Sequence, residues 1–599
     1  MSKQDNIPLP NLPLSYKLFS SLLLVAGMAL FAGTWTLILH AVYEEAGKEP
    51  LGVQLGLLAL ENTPSFVKLL ALHLAGMIIL LGMSYQLFKM TSLRRRLKAA
   101  LVWLALILSI VDLAAWLYSP SCSATNLVVG QMGALSAVPI LILALVPLYQ
   151  IWIYRRWKNS AGKPVRIVIV GGGFAGTYVA LDLNKALGYH RDLEIILVDA
   201  NNYFLFPPLL PSAAVGAIEL REVSYPFRRL LETTNVNFQR LEVQSIDPQK
   251  KLLSGVIKRK AEFDGDGGDQ VGTKLTYDYL VLAPGSRANT FNTKGAEEHA
   301  FFMRRLEDAF ALRNHIIDCF ETAATIDSVS ERKKLLKFVI IGGGPTGVET
   351  STEIYDLIHQ VLMKRYPEVD SSIPSVVIVQ SGDQILPGWP DDIVRMTSRQ
   401  LEKMKLEVVL GNRVLEVGSD FVQVGDDIRI ECQTAVWCAG VKPARLIEKC
   451  GLPLHKSGRV QVADDLQVPE FENIFVLGDA AFLIDRKTGY PLPPLGQVAF
   501  QQGTQTAKNI VRLLSGHKTS PFSYFDYGGL VSAGENYAAV NLMGIKFSGF
   551  VGWFIWRTLY LVKLPGMSNR IRVMIDWALD LLIERSITQI EHTEKCQSS

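Results

Sequence analysis

Cysteine is scarce and scattered: six residues in 599, at positions 122, 319, 432, 438, 450 and 596, with no C-x-x-C pair. That spacing excludes iron–sulfur clusters and zinc ribbons, and no Cys/His grouping supplies another metal site, so no metal is expected. Isolated thiols fit a reducing compartment and ordinary buried side chains. Charge of one sign is also missing. Sixty Lys and Arg stand against 57 acidic residues, a net +3, and no long basic tract occurs, which argues against nucleic acid as a partner. The acidic run Asp264–Asp269 lacks calcium-loop spacing, since its position twelve is Leu275 and not Glu.

What the chain has in excess is hydrophobic residues, 49% of the total, and they crowd the front. Four long apolar stretches cover Tyr16–His40, Phe66–Phe88, Ala99–Leu117 and Met132–Ile153. Each approaches the ~20 residues that cross a bilayer as a helix. Lys3 and Lys17 precede the first stretch, Arg94, Arg95 and Arg96 follow the second, and Arg155, Arg156 and Lys158 follow the fourth. The intervening outer connections are acidic or uncharged. Positive charge marks the cytoplasmic side. The expectation is a multi-pass protein of the inner (cytoplasmic) membrane, with both ends of a four-helix unit and everything after it on the cytoplasmic side. His40, His73 and Asp112 fall within this unit; a haem, a quinone or proton site, and plain structural pairing all stay open for them.

Beyond the fourth stretch the pattern changes. "VRIVIVGGGFAG" is an apolar run, read as a buried parallel strand, followed by Gly171, Gly173 and Gly176 in G-x-G-x-x-G spacing. The first glycine permits a tight turn, the second lets backbone approach a pyrophosphate, and the third lets the helix pack on the strand. The helix N-terminus supplies amide donors to phosphate. Asp199 ends the next apolar run, 23 residues past Gly176, where a carboxylate accepts ribose hydroxyls. The arrangement recurs with Gly342, Gly344 and Gly347, and there the next apolar run ends at Gln380. Two dinucleotide folds are therefore expected. An acid at the second position would repel the extra phosphate of NADP; the neutral Gln380 favours NADH and leaves NADPH admissible.

With these motifs in order, the segment from residue 165 to about 590 resembles the type II NADH dehydrogenases, single-chain NADH:quinone oxidoreductases. The resemblance is carried by "DANNYFLFPPLLP" (Asp199–Pro211), "YDYLVLAPGS" (Tyr277–Ser286), "VWCAGVKP" (Val436–Pro443) and "GQVAFQQG" (Gly496–Gly503). Pro284 stands where threonine is usual, and Gly496 where alanine is usual. The resemblance implies FAD on the first glycine cluster and NADH on the second. It implies that Gly478 and Asp479, in "NIFVLGDAA", meet the ribityl chain of FAD. Gln497 and Gln501 match the family's quinone-site glutamines; four residues apart, they share one helix face. Glu349 matches an acid beside the nicotinamide that orients it or assists proton traffic.

The expected fold class is α/β: two Rossmann-like dinucleotide-binding domains, the FAD domain split by an inserted NAD domain. A four-helix transmembrane domain precedes them and amphipathic membrane-associated helices follow. Expected boundaries are 1–160 for the membrane domain, 161–330 and 451–515 for the two FAD parts, 331–450 for the NAD(P)H domain and 516–599 for membrane association. In the last region Trp553, Trp556 and Tyr560, then Ile571, Met574, Trp577, Ala578, Leu581 and Leu582, read as lipid-facing stripes beside Arg557, Arg570 and Arg572. The expected partners are a membrane quinone and the lipid bilayer, and the resemblance admits a homodimer. One Asp and two His form no charged relay across four helices, so turnover is expected to move no protons across the bilayer. A sulfide:quinone oxidoreductase shares this fold but needs paired cysteines near the flavin, and only Cys438 is placed for that. A transmembrane reductase or redox sensor using the leading helices is the remaining alternative.

Overall fold

The structure is a computed structural model that describes residues 164–187, 192–258 and 270–580. The four leading apolar stretches, with His40, His73, Asp112 and Cys122, lie outside the described residues, as do Asp264–Asp269, Leu581, Leu582 and Cys596.

The run "VRIVIV" forms the strand Val165–Val170, with Ile167, Val168 and Ile169 fully buried. Continuous β-branched residues suit a strand covered on both faces. It pairs in parallel with Leu193–Asp199 on one side and Tyr279–Leu282 on the other. Val236–Arg240 extends the sheet beyond Leu193–Asp199. The opposite edge comes from far along the chain: Phe471–Val476 pairs in parallel with Tyr279–Leu282, and Gln467–Val468 closes that edge antiparallel. Helix α1, Phe174–Leu187, leaves the first strand through the glycine turn.

A second parallel sheet runs in the order Phe301–Phe302, Thr434–Trp437, Lys337–Ile341, Ser375–Val379, Glu407–Val409. Helix α2, Pro345–Asp356, leaves its central strand as α1 leaves the first. In both sheets the strand order places a glycine cluster at the carboxyl end of a central strand, the place where open α/β sheets bind ligands.

Helix α3, Gly496–Leu514, packs along α1. A Cβ on Gly503 would sit 2.5 Å from Ala175 O, so the close approach of the two helices depends on glycine there. The chain then forms an antiparallel sheet of Gly528–Ser532, Ala538–Leu542 and Ile545–Phe547. Helices α4, Gly549–Lys563, and α5, Met567–Asp580, complete the described chain. The guanidinium of Arg557 ties them together, 3.9 Å from the Trp553 ring and 5.0 Å from the Trp577 ring. Among the described residues no helix is long and apolar enough to cross a membrane.

The expected lipid-facing stripes divide differently in the structure. Trp553, Trp556 and Trp577 are 8%, 4% and 7% exposed and pack inward. Phe550, Val551, Phe554 and Val562 on α4, with Ile571, Met574, Ile575 and Leu579 on α5, form the exposed apolar face. The tryptophans turn inward because their ring area goes further against one another and Arg557 than against solvent.

Candidate functional site

Gly171 turns the chain with φ of +100°, a region that favours glycine. A Cβ there would meet Ala283 O at 2.1 Å, and one on Gly176 would meet Gly171 O at 1.9 Å. A Cβ on Gly173 would meet nothing within 4 Å, so this backbone faces open space. Asp199 Oδ2 accepts from Gly172 N at 2.6 Å, and its Oδ1 accepts from Asn201 N at 2.7 Å. Burial pushes the Asp199 carboxyl up, while the amides of Gly172 and Asn201 pull it back down.

The late strand Phe471–Val476 delivers Gly478 and Asp479 to the same edge of the first sheet. Gly478, at φ +63°, donates its N–H to Gln502 Oε1 at 2.6 Å, and Gln502 is 1% exposed. Asp479 Oδ2 accepts from Ser286 Oγ at 2.5 Å, and Arg304 in turn donates to Ser286 Oγ. Asp479 is thus held by Ser286, which Arg304 braces from a second segment.

The second cluster repeats the first almost atom for atom. Gly342 has φ of +111°, and its Cβ would meet Ala439 N at 2.8 Å. A Cβ on Gly347 would meet Gly342 O at 1.8 Å, and one on Gly344 would again meet nothing within 4 Å. Gln380 Oε1 accepts from Gly343 N at 2.9 Å, in the place that Asp199 takes in the first cluster.

Glu349, on α2, is 6% exposed. Its Oε1 accepts from Ser532 N at 3.2 Å, and burial pushes its carboxyl up to about 8, with Glu353 adding to the rise. Trp556 and Tyr560 of α4 lie beside it. Gln497 and Gln501 share one face of α3 and both engage the segment 525–528. Gln501 pairs with Phe525 through both ends of its amide, at 2.8 and 3.0 Å. Gln497 donates to Gly528 O at 3.3 Å and Asp526 Oδ1 at 3.2 Å, and accepts from Tyr527 N at 3.3 Å. The strand Gly528–Ser532 therefore touches Gln497 at one end and Glu349 at the other, ~13 Å apart at strand rise. Phe500, between the glutamines, lies 5.4 Å from the Tyr178 ring and 4.8 Å from Lys563 Nζ.

The cysteines among the described residues fit no sulfur-carrying role. Among the described residues Cys319, Cys432, Cys438 and Cys450 are free of disulfides. Burial pushes Cys432 and Cys438 up to about 12, far from a thiolate nucleophile at neutral pH.

Two such cradles in one chain define a class, the oxidoreductases that hold a flavin and a pyridine nucleotide on paired dinucleotide folds. Residues 165–503 match the Pyridine nucleotide-disulphide oxidoreductase family. The chain is 31% identical over 444 residues to a probable NADH dehydrogenase of Dictyostelium discoideum, covering 73% of this chain and 94% of that protein. It is 31% identical over 432 residues to a type II NADH:quinone oxidoreductase of Mycobacterium tuberculosis, covering 70% of this chain and 89% of that one. The fold resembles that of NDH2 from Plasmodium falciparum, solved in complex with NADH, with a TM-score of 0.65 at 20% identity over 71% of this chain and all of that one. The chain belongs to the type II NADH dehydrogenase family.

Several contributors carried no sequence signal strong enough to pick out. Ser286 and Arg304 reach Asp479 from distant segments. Gln502 stands beside Gln501 but points inward to Gly478. Trp556 and Tyr560 were legible only as apolar helix residues; their i, i+4 spacing was a sign of one shared face, but not of which face meets Glu349.

Proposed function

We propose that this protein is an FAD-dependent NADH:quinone oxidoreductase acting at a membrane surface. The observation that carries this reading is the pair of open glycine cradles, at Gly173 and at Gly344, in one chain of this family. The cradle at Gly171, Gly173 and Gly176 fits FAD: its backbone is open where a pyrophosphate sits, and Asp199 and Asp479 supply acceptors for ribose and ribityl hydroxyls. Gly342, Gly344, Gly347 and Gln380 hold NADH in the same manner. Held there, FAD would supply the two-electron redox chemistry that links NADH oxidation to quinone reduction in a ping-pong cycle.

The chain's own residues position and insulate. Glu349, neutral at pH 7 because its carboxyl is pushed up to about 8, orients the nicotinamide end and holds a proton for the quinone side. Gln497 and Gln501 set the quinone pocket; their amides hold segment 525–528, and Gln501, which donates once within the protein, keeps a hydrogen to offer a quinone carbonyl. Phe500, Tyr527 and Phe525 pack ring against ring beside the glutamines and offer apolar surface to a quinone ring. The exposed faces of α4 and α5 rest on lipid and give quinone its entry.

In this reading residues 1–160 add a four-helix membrane anchor that keeps the catalytic part on the cytoplasmic side, without pumping protons. The segments 161–330 and 451–515 hold FAD, 331–450 holds NADH, and 516–599 meets the membrane, where a homodimer contact also has room. The test is anaerobic flavin absorbance of detergent-purified protein, with NADH added and then a short-chain quinone. Bleaching followed by quinone-driven recovery is expected. Bleaching without recovery overturns quinone as the acceptor. In sealed vesicles NADH oxidation is expected to show only the uptake of one proton per turnover on the NADH side, with no uncoupler-sensitive transfer of protons across the bilayer.

A further inference from the structure

The strand Gly528–Ser532 is the edge of its antiparallel sheet, paired on one side with Ala538–Leu542. An edge strand has a row of backbone groups without sheet partners, so its position depends on what else reaches it. At residue 528, Gly528 O accepts from Gln497 Nε2 at 3.3 Å. At residue 532, Ser532 N donates to Glu349 Oε1 at 3.2 Å. Between them lies the indole of the half-buried Trp389. A Cβ on Gly529 would sit 2.5, 2.6 and 3.0 Å from Trp389 Cη2, Cζ3 and Cζ2. The ring thus rests directly on the strand's backbone, a seat that exists because residue 529 carries no side chain.

Local sequence chemistry brings Trp389 there. Leu386, Pro387, Gly388 and Trp389 form a turn in which Trp389 N donates to Leu386 O at 3.1 Å and Gly388 has φ of +81°. Proline at the second place and glycine at the third suit a type II turn. The turn is anchored in the second glycine cluster. Leu386 N donates to Gly343 O at 2.7 Å, and a Cβ on Gly343 would lie 3.3 Å from Ile385 Cγ2. Leu386 is fully buried and holds φ of +50°, a conformation that a bulky residue keeps only where its surroundings impose it. Gly343 is therefore held at its N–H by Gln380 and at its carbonyl by Leu386. A continuous run of contacts leads from this backbone through the turn and the indole to Gly529, next to the carbonyl that Gln497 binds.

Holding the sheet against the second fold does not by itself call for this arrangement. The helix Asp391–Lys403 already does so at residues 537 and 546: Tyr537 Oη donates to Met396 O at 3.1 Å, and Lys546 pairs with Asp392. Trp389 acts at the edge strand, beside the segment 525–528 that the glutamines grip. A flat ring with two rotatable bonds fixes how closely a backbone approaches, which a long flexible side chain does not.

We propose that Trp389 is a positioning residue for the quinone site: it sets the edge strand Gly528–Ser532 against α3 and ties it to the backbone of the second glycine cluster. The proposal rests on the NADH:quinone reading above. In this role Trp389 acts through Gly529 and the neighbouring Gly528 carbonyl on Gln497.

The test uses full-length, FAD-loaded protein in detergent, with NADH as donor and either a short-chain quinone or ferricyanide as acceptor. Trp389→Ala is expected to raise KM for the quinone about tenfold, with kcat, ferricyanide reduction and the rate of flavin bleaching by NADH each within about twofold of wild type. Trp389→Phe, which keeps a ring over Gly529, returns KM to within about threefold of wild type. Gly529→Ala displaces the indole from the other side and raises KM to a similar extent; combined with Trp389→Ala it adds little, because the contact is already gone. An unchanged KM in Trp389→Ala, or fully additive effects in the double variant, overturns the proposal. Parallel slowing of quinone reduction, ferricyanide reduction and bleaching also overturns it, since that marks a general packing role. If Trp389→Ala does not fold, Gly529→Ala decides alone, and an unchanged KM there sinks the proposal. A wild type that reduces ferricyanide but no quinone overturns the quinone reading itself, an outcome read before any variant.

Discussion

At Gly172 the backbone amide donates to a carboxylate, Asp199; at Gly343 the matching amide donates to a carboxamide, Gln380. Around this difference the two cradles are near copies. The first glycine turns at φ +100° in one and +111° in the other. The third would carry a Cβ 1.9 Å from the first glycine's carbonyl oxygen in one and 1.8 Å in the other. Each first glycine also packs against the turn after a neighbouring strand, Ala283 in the first fold and Ala439 in the second. In the proposed reading the shared geometry serves the pyrophosphate that both nucleotides contain. What distinguishes the two sites is the side chain at the end of the second strand and what else reaches the edge. A carboxylate offers only acceptors to a ribose and rejects a nearby phosphate; a carboxamide does neither as strongly. The first fold also receives Asp479 from a strand that arrives after the whole second fold, whereas the second receives Glu349 from its own helix.

The largest effect is expected from breaking one cradle and leaving the other. Gly176→Ala forces a Cβ into the Gly171 carbonyl and should cost about 3 kcal/mol or more, with loss of flavin from the purified protein. Gly347→Ala should keep the flavin but abolish its bleaching by NADH; equal flavin loss in both variants would break the comparison. Next, Asp199→Ala removes a partly buried acceptor of two amides and should weaken FAD retention about 10- to 100-fold, read as flavin per protein after gel filtration.

Two further changes leave the cradles intact and sharpen their division of labour. Glu349 is protonated at neutral pH because burial raises its carboxyl to about 8. Quinone reduction should therefore fall as pH rises through that value, and the fall should vanish in Glu349→Gln, at about a tenfold lower rate. The same shift has a stability sign. The neutral carboxyl is tolerated below its unfolded pKa, and the native state loses stability as pH rises from there to about 8. Gln380→Glu should raise the preference for NADH over NADPH about tenfold in kcat/KM, without touching flavin content. The smallest catalytic effect is expected from Phe554→Glu on the exposed face of α4. It should reduce binding to lipid vesicles, measured by flotation, while activity with a water-soluble quinone stays near wild type.

The glycine clusters, with Asp199 and Gln380 at the ends of the strands that follow, were legible in the sequence because their geometry is local. Each cluster depends on a strand, a turn and a helix contiguous in the chain, and on backbone angles that few residues besides glycine adopt. The inward and outward faces of α4 and α5 were not legible. Both faces are apolar, so periodicity alone does not choose between lipid and core; Arg557, clamped between Trp553 and Trp577, decides it only once the helices meet. The glutamines show the same limit. Spacing placed Gln497 and Gln501 on one face, yet not that their amides bind segment 525–528.

By itself the sequence determined two dinucleotide folds, because backbone sterics and strand–turn–helix chemistry act over short stretches; the family and the interleaving of the folds were readable through the resemblance of its motifs. Only the tertiary structure decided which distant groups serve each site. Ser286 and Arg304 reach Asp479, Ser532 and Trp556 enclose Glu349, and the Trp389 ring lies on Gly529. Those pairings depend on packing among segments remote in sequence, and burial, which raises the Glu349 carboxyl, does not exist until that packing is complete.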